Sequence, residues 1–226
     1  MQAWELLAQT STPDGSDMRL TRQGAEYVIL VNGKTLMSSR MHGSEEALAT
    51  LACRRLRILQ RSCVLIGGLG MGYTLRATLD LLQPSAVVVI AETVPAVVEW
   101  NRGPLGFLAG NPLNDKRVRV EVADVAEILR SAHGKFDAVL LDVDNGPSAF
   151  TTSDNGWLYD DRGITAVRMA LKMNGVWAVW SAQEDRKFEK RLRHGRFDVQ
   201  VESVRGRLKK GGPHHTIFLA HKTPSS

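Results

Sequence analysis

The chain has 226 residues, of which 43% are hydrophobic and 23% charged, and its net charge at pH 7 is +5. This length fits one globular domain with a small appendage, and no apolar run approaches the 18 residues of a membrane span. The two cysteines, Cys53 and Cys63, make no disulfide framework, and residues 1–5 lack the pattern of a secretory signal. These features predict a cytoplasmic protein with no membrane partner.

The positive charge raises the question of a nucleic-acid partner. Much of the excess lies between Arg186 and Lys210, where acidic residues interrupt the basic ones and aromatic residues are sparse. A solvated helix face followed by a basic loop explains this pattern better than a nucleic-acid surface does. A nucleic-acid partner is therefore not expected.

Residues 1–43 predict a small N-terminal β subdomain, and residues 44–226 predict the main domain. In the first part, short runs of alternating or apolar residues predict strands, and Asn32-Gly33 between two of them is a strong signal for a hairpin. An isolated hairpin is not stable in water, so this subdomain must pack against the main domain or against a second subunit.

From Ser44 onward helices and strands alternate. Ser44 is the expected N-cap of the first helix, whose first turn carries Glu45 and Glu46. The predicted strands that follow are 64–67, 86–91, 118–122, 136–141, 176–181, 197–204 and 216–220. The predicted helices are 74–82, 94–101, 125–132, 158–173 and 184–194.

The early strands of the main domain are continuously apolar, which is typical of a parallel sheet buried on both faces. The last two strands are joined by a short basic loop with no room for a crossover helix, so they should pair antiparallel. The predicted fold class is therefore α/β, with a Rossmann-like sheet of seven strands. This arrangement resembles the sheet of class I S-adenosylmethionine-dependent methyltransferases.

The glycine-rich loop at 67–72 is the centre of the functional prediction. An apolar strand ends in Gly67-Gly68-Leu69-Gly70-Met71-Gly72, and a helical pattern follows. This layout lets a nucleotide or nucleoside rest on backbone N–H groups at the start of a helix. Tyr73 stands where a dinucleotide-binding fingerprint would have its third glycine, so an S-adenosylmethionine-type site is favoured over a dehydrogenase. A glycine turn formed for packing alone is the alternative.

Acidic residues follow the next two predicted strands. Glu92 ends one strand and can accept hydrogen bonds from both ribose hydroxyls. Asp124 ends the next and can accept from an adenine amino group, or cap the following helix, and the two roles are compatible. The predicted cofactor-binding residues are Gly68, Gly70, Gly72, Glu92, Thr93, Ala123 and Asp124.

Asp142 and Asp144 follow the fourth strand of the main domain, and we predict them as catalytic residues. A carboxylate there can neutralise a cationic substrate and accept the proton of an amine that attacks an alkyl carbon. The alternative is an ordinary turn, since Asp144 precedes Asn145, Gly146 and Pro147. The histidine pair at 214–215 alternates along a strand, and no metal site is predicted.

Together these motifs resemble the spermidine synthases, the polyamine aminopropyltransferases, over nearly the whole chain. The glycine loop with Thr74-Leu75-Arg76, the acids at 92 and 124, and Asp142 ahead of Gly146-Pro147 are similar to that family's motifs. The resemblance implies decarboxylated S-adenosylmethionine or S-adenosylmethionine as co-substrate, a small-molecule amine as acceptor and a homodimer. His42 matches the family's Tyr-His-Glu segment and is predicted as a substrate residue. Trp157 and Tyr159 are aromatic residues that can line a pocket, and they are the other two predicted substrate residues.

The chain also departs from the family. Met71 stands where the family's loop aspartate contacts the amine of decarboxylated S-adenosylmethionine, and the catalytic loop is about two residues shorter. The leading hypothesis is aminopropyl transfer to an amine. The alternatives are a methyltransferase that uses ordinary S-adenosylmethionine and a nucleoside- or nucleic-acid-binding homologue without catalytic activity.

Overall fold

The computed structural model describes residues 3–142, 155–207 and 212–224. Four strands near the N-terminus form an antiparallel sheet in chain order: β1 (Glu5–Ser11), β2 (Asp17–Gln23), β3 (Glu26–Val31) and β4 (Lys34–Ser38). The hairpin predicted at Asn32-Gly33 is confirmed, because both residues have positive φ, 48° and 75°, as a tight turn between paired strands requires.

A second sheet of seven strands forms the body of the molecule. Its strands are β5 (Cys63–Gly67), β6 (Val87–Ala91), β7 (Val118–Glu121), β8 (Phe136–Leu141), β9 (Leu171–Ser181), β10 (Phe197–Arg205) and β11 (His214–Lys222). They lie in the order β10-β11-β9-β8-β5-β6-β7. Strands β5 to β9 are parallel, and β11 pairs antiparallel with both β9 and β10, as the sequence predicts.

In the part of the chain that the structure describes, six α-helices accompany this sheet: α1 (Gly43–Cys53), α2 (Tyr73–Leu81), α3 (Pro95–Arg102), α4 (Val125–Ser131), α5 (Asp161–Ala170) and α6 (Arg186–His194). The first three pack on the sheet face that carries Val64 and Ile66, and the last three on the face that carries Leu65. The strands are apolar on both faces because helices cover both. None of the helices in the described ranges is long and apolar enough to cross a bilayer.

The N-terminal sheet packs against the main domain. Leu20 and Ile29 are buried in the same apolar core as Leu48 of α1, and the ring of Tyr27 meets that of Phe107 edge-on at 5.6 Å. The N-terminal subdomain was predicted to pack against the main domain or a second subunit, and the first of these contacts is present.

Two local predictions are wrong. The helix predicted over 158–173 is α5, which begins after Asp160 because that carboxylate accepts hydrogen bonds from the N–H groups of residues 162 and 163. It ends at Ala170, because Leu171 already pairs with Phe136 as part of β9. Ser44 is not the N-cap of α1 either; the N-cap is His42, so the helix begins two residues earlier than predicted, at Gly43.

The strand order places the expected ligand position. From β5 the chain runs outward to β6 and β7 on one side, and then returns to β8 on the other side of β5. In open parallel sheets the ligand crevice lies at such a reversal, outside the carboxyl ends of the strands. The ends of β5, β6, β7 and β8 are therefore the place to look for the site.

Candidate functional site

The loop after β5 has the conformation that the sequence predicts. Gly68, Gly70 and Gly72 have φ values of 85°, 52° and 82°, in the left-handed region that side chains disfavour. Gly68 and Gly70 are half-buried, whereas Met71 between the last two glycines is 1% exposed and packs in the core. The loop thus leaves the backbone of Gly68 and Gly70 free of side chains, and it sends its two long side chains, those of Leu69 and Met71, into the core.

Two side chains that the sequence did not single out support this loop. The amide of Asn101 on α3 donates hydrogen bonds to the carbonyl oxygens of Gly70, at 2.8 Å, and Val97, at 2.9 Å. Met37 of β4 lies against the loop, so close that a Cβ at Gly70 would stand 2.7 Å from its Sδ. Met37 brings the N-terminal sheet to the site. Neither contact has a signal in the sequence, since both join distant segments.

Glu92 directs its carboxylate toward the glycine loop. Its Oε2 accepts a hydrogen bond from the N–H of Leu69 at 2.9 Å, and its Oε1 accepts one from Val94 at 2.9 Å. The side chain is 8% exposed, and this burial raises the pKa of the carboxyl above its ordinary value, although the N–H donors act in the opposite direction. The neighbouring Thr93 is exposed.

The end of β7 lies next to Glu92. The N–H of Ala123 donates to the carbonyl oxygen of Glu92 at 3.1 Å, which ties the two strand ends together. Asp124 is half-buried and caps α4, because its Oδ1 accepts from the N–H of Ala126 at 2.8 Å. Only one of its two carboxylate oxygens takes part in that bond, so capping is compatible with the predicted adenine contact.

Asp142 lies on the other side of the glycine loop. Its N–H donates to the carbonyl oxygen of Gly67 at 3.1 Å, and its Oδ2 accepts from the hydroxyl of Thr74 at 3.1 Å. Burial raises the pKa of its carboxyl to about 6, while the Thr74 hydroxyl lowers it. The other predicted catalytic residue, Asp144, lies outside the described residues.

Glu45 is the acidic residue that the sequence reading missed as part of this site. It lies in the first turn of α1, is 8% exposed, and accepts a hydrogen bond from the hydroxyl of Ser44 at 2.6 Å. Burial, and next the negative charge of Asp142, raise the pKa of its carboxyl to about 7. In the sequence Glu45 indicates a helix start, and only the fold brings it to Asp142.

The predicted substrate residues separate into two groups. His42 lies near the site: its ring stacks on that of Tyr73 with centroids 4.0 Å apart, and its Nδ1 is 2.7 Å from Oε1 of Glu46. Trp157 instead lies beneath the guanidinium of Arg130, in the last turn of α4, with 4.0 Å between that group and the ring centroid.

Tyr159 is a buried core residue. It is 6% exposed and meets the ring of Phe188 edge-on at 5.5 Å, in the core between the sheet and α4, α5 and α6. The structure therefore brings together the glycine loop, Glu92, Asp124, Asp142 and His42. It places Trp157 and Tyr159 in packing positions on the opposite side of the sheet from α1 and α2.

The parallel sheet, with a glycine loop after β5 and acids at the neighbouring strand ends, defines a Rossmann-like fold. Solved structures share this fold. The chain matches a spermidine synthase crystallised with the transition-state analogue AdoDATO at a TM-score of 0.74 and 20% identity, over 97% of this chain and 73% of that one.

Two further structures match in the same way. The spermidine synthase from Thermotoga maritima gives a TM-score of 0.73 at 20% identity, covering 97% of this chain and 74% of that chain. A probable spermidine synthase from Corynebacterium glutamicum gives 0.66 at 15% identity, covering 95% and 79%. No family model and no curated protein sequence matches the chain. At these identities the likeness establishes the fold, including the N-terminal antiparallel sheet.

Proposed function

We propose that the protein is a transferase that moves the aminopropyl group of decarboxylated S-adenosylmethionine to an amine. The observation that supports this most is the placement of two different kinds of acid on either side of one glycine loop. Glu92 is held by two backbone N–H groups beside the loop, and Asp142 is held by Thr74 on its other side. The first arrangement suits ribose recognition, and the second suits proton transfer.

The binding half consists of the loop glycines with Glu92 and Asp124. The nucleoside binds against the N–H groups at the start of α2 and against the backbone of Gly68 and Gly70, where no Cβ stands in its path. Glu92 receives the ribose hydroxyls and Asp124 the adenine amino group. The sulfonium chain then extends toward β8.

Asp142 acts on the acceptor amine. The nitrogen lone pair attacks the chain carbon bonded to sulfur, the carbon–sulfur bond breaks, and its electron pair leaves with sulfur as a neutral thioether, methylthioadenosine. The nitrogen becomes positively charged and releases one proton to the Asp142 carboxylate. A pKa of about 6 leaves that carboxylate ionised at neutral pH while keeping it a better base than an exposed aspartate.

The experiment is a transfer assay with purified protein, decarboxylated S-adenosylmethionine and 1,4-diaminobutane, followed by mass spectrometry of methylthioadenosine and the alkylated amine. We expect both products in equal amounts, with a rate that rises with pH until Asp142 is ionised. Asp198→Asn on β10, an exposed carboxyl, is the control for Asp142→Asn. Binding of the nucleoside without products from any primary amine would contradict the proposal.

Methyl transfer from S-adenosylmethionine is a second candidate, and one observation favours it. The Met71 side chain is 1% exposed and packs in the core, so this loop position carries no acid that would repel the carboxylate of ordinary S-adenosylmethionine. Calorimetric titration with the two nucleosides distinguishes the candidates. A clear preference for the carboxylated form would support methyl transfer.

A further inference from the structure

Glu45 and Asp142 are two acidic side chains whose charges act on each other; Glu45 is buried and Asp142 is half-buried. Glu45 belongs to the start of α1 and Asp142 to the end of β8, and each accepts a hydrogen bond from a hydroxyl, of Ser44 and Thr74 respectively. Within the described residues, no arginine, lysine or histidine forms an ion pair with either carboxyl.

Among the described residues, Glu46 and Tyr73 also act on Glu45, and neither of them is cationic. Glu46 on the same helix is acidic and raises its pKa, and Tyr73 of α2 is a neutral phenol beside it. Two interacting carboxyls, of which Glu45 is buried, cannot both be ionised without a desolvation cost and mutual repulsion. They are satisfied either by retaining a proton or by a cation from a ligand.

We propose that Glu45 and Asp142 together bind a primary ammonium group of a substrate. This inference rests on the proposed function and adds to it a second acid, which comes from α1. A primary ammonium has three N–H donors, so it can reach one oxygen from each carboxyl. A metal would need more ligands, and the described residues hold no group of three or more histidine, cysteine or acidic side chains that could bind one.

The position of the pair along the strand edge decides which groups can reach it. The acids assigned to the adenosine moiety follow β6 and β7, whereas Asp142 follows β8, on the opposite side of β5. A ligand that spans the edge therefore places its non-nucleoside part at Glu45 and Asp142. The ammonium comes either from the aminopropyl chain of the donor or from the acceptor amine, and the experiment distinguishes these sources.

The test is calorimetric titration of the wild type, Glu45→Gln and Glu127→Gln. Glu127 is the matched control, because it also lies in the first turn of a helix, α4, but is exposed. Three probes are used: methylthioadenosine, which has no ammonium; decarboxylated S-adenosylmethionine; and 1,4-diaminobutane added to the methylthioadenosine complex. Repeating each titration at pH 6.5 in two buffers of different ionisation enthalpy measures the protons released.

We expect Glu45→Gln to leave methylthioadenosine affinity unchanged and to weaken an ammonium-bearing probe by at least about tenfold, as the loss of a buried charged contact does. The wild type should release protons to the buffer when that probe binds, and the variant should release fewer. Loss confined to decarboxylated S-adenosylmethionine assigns the site to the donor, and loss confined to the diamine assigns it to the acceptor.

The inference is overturned if the wild type binds methylthioadenosine and Glu45→Gln binds both ammonium probes as Glu127→Gln does. Methylthioadenosine binding by Glu45→Gln also shows that the variant is folded. Failure of the wild type to bind methylthioadenosine or decarboxylated S-adenosylmethionine is a different result, because it removes the nucleoside site and with it the proposed function.

Discussion

The two halves of the strand edge are built in different ways. The nucleoside half, at the ends of β5, β6 and β7, consists of backbone groups and of acids held by backbone N–H donors, all within residues 67–126. The charge half, at the end of β8, consists of side chains from three distant segments, Glu45, Thr74 and Asp142. The two carboxyls repel each other, and each accepts a hydrogen bond from a hydroxyl group.

This difference separates two properties of the protein. The backbone groups of the glycine loop are fixed by the fold, and in the proposal they determine that a nucleoside fits. In the proposal, the carboxyls of Glu45 and Asp142 select the cation that accompanies the nucleoside and accept a proton, because electrostatic interactions are strong where water is excluded. Changes in the charge half should therefore alter the reaction and leave nucleoside affinity intact, and changes in the nucleoside half should do the reverse.

Asp142→Asn should give the largest effect. We expect the rate of methylthioadenosine formation from decarboxylated S-adenosylmethionine to fall about 10²- to 10⁴-fold, since the amide cannot accept the proton of the attacking amine. Methylthioadenosine affinity, measured by calorimetry, should not change. If methylthioadenosine affinity falls by as large a factor as the rate, the two halves are not independent, because Asp142 then serves to hold the glycine loop.

Glu92→Gln tests the other half. An amide in place of the carboxylate turns one acceptor into a donor that faces the N–H of Leu69 or Val94, at a cost of about 1–3 kcal/mol. Methylthioadenosine affinity should therefore fall about tenfold or more. Glu121→Gln, the exposed last residue of β7, is the matched control in the same calorimetric titration. Unchanged affinity in Glu92→Gln would remove Glu92 from ribose recognition.

The same division explains what the sequence could predict. The strand, glycine loop and helix around Gly68–Gly72 lie within one short stretch, and their local pattern specifies their structure. Glu92 and Asp124 follow because the ends of parallel strands meet at one edge of the sheet. The seven-stranded sheet is confirmed because its apolar strands and the helical patterns between them are strong local signals.

The charge half could not be predicted in this way. Glu45 has the position of an ordinary acid at a helix start, and nothing in the sequence indicates that α1 places it beside residue 142. Met37 and Asn101 support the loop through contacts over more than 30 residues of chain. Trp157 and Tyr159 were predicted to contact substrate, but Trp157 packs against the core and Tyr159 lies in it.

The acidic pair also makes a prediction about stability. The pKa of Glu45 is raised to about 7 in the folded protein, so folding favours its protonated form. This contribution is present below the ordinary pKa of a glutamate and is lost as the pH rises through about 7. From pH 4 to pH 8 the free energy of unfolding of Glu45→Gln should therefore rise, relative to that of the wild type, by on the order of 3 kcal/mol.

Chemical denaturation of the ligand-free proteins at several pH values measures this difference. Glu127→Gln should follow the wild type, because the carboxyl that it removes is exposed to solvent. If the free energy of unfolding of Glu45→Gln also matches that of the wild type at every pH, then ionising Glu45 does not destabilise the folded protein. The charge half would then have no electrostatic cost that a bound cation could relieve. Addition of decarboxylated S-adenosylmethionine should stabilise the wild type more than Glu45→Gln at pH 8.

The smallest effects are expected at Asp124, where capping and base recognition involve one carboxylate. Asp124→Ala should lose about 1 kcal/mol of stability, because the N–H of Ala126 loses its acceptor, whereas Asp124→Asn should keep the cap.

If the second carboxylate oxygen of Asp124 accepts from the adenine amino group, the wild type prefers methylthioadenosine to methylthioinosine, which has a carbonyl at that position. Asp124→Asn should reduce or reverse that preference, since its amide can donate to the carbonyl. The same base preference in all three proteins would reduce Asp124 to a helix cap, and the nucleoside half would then recognise ribose and backbone shape alone.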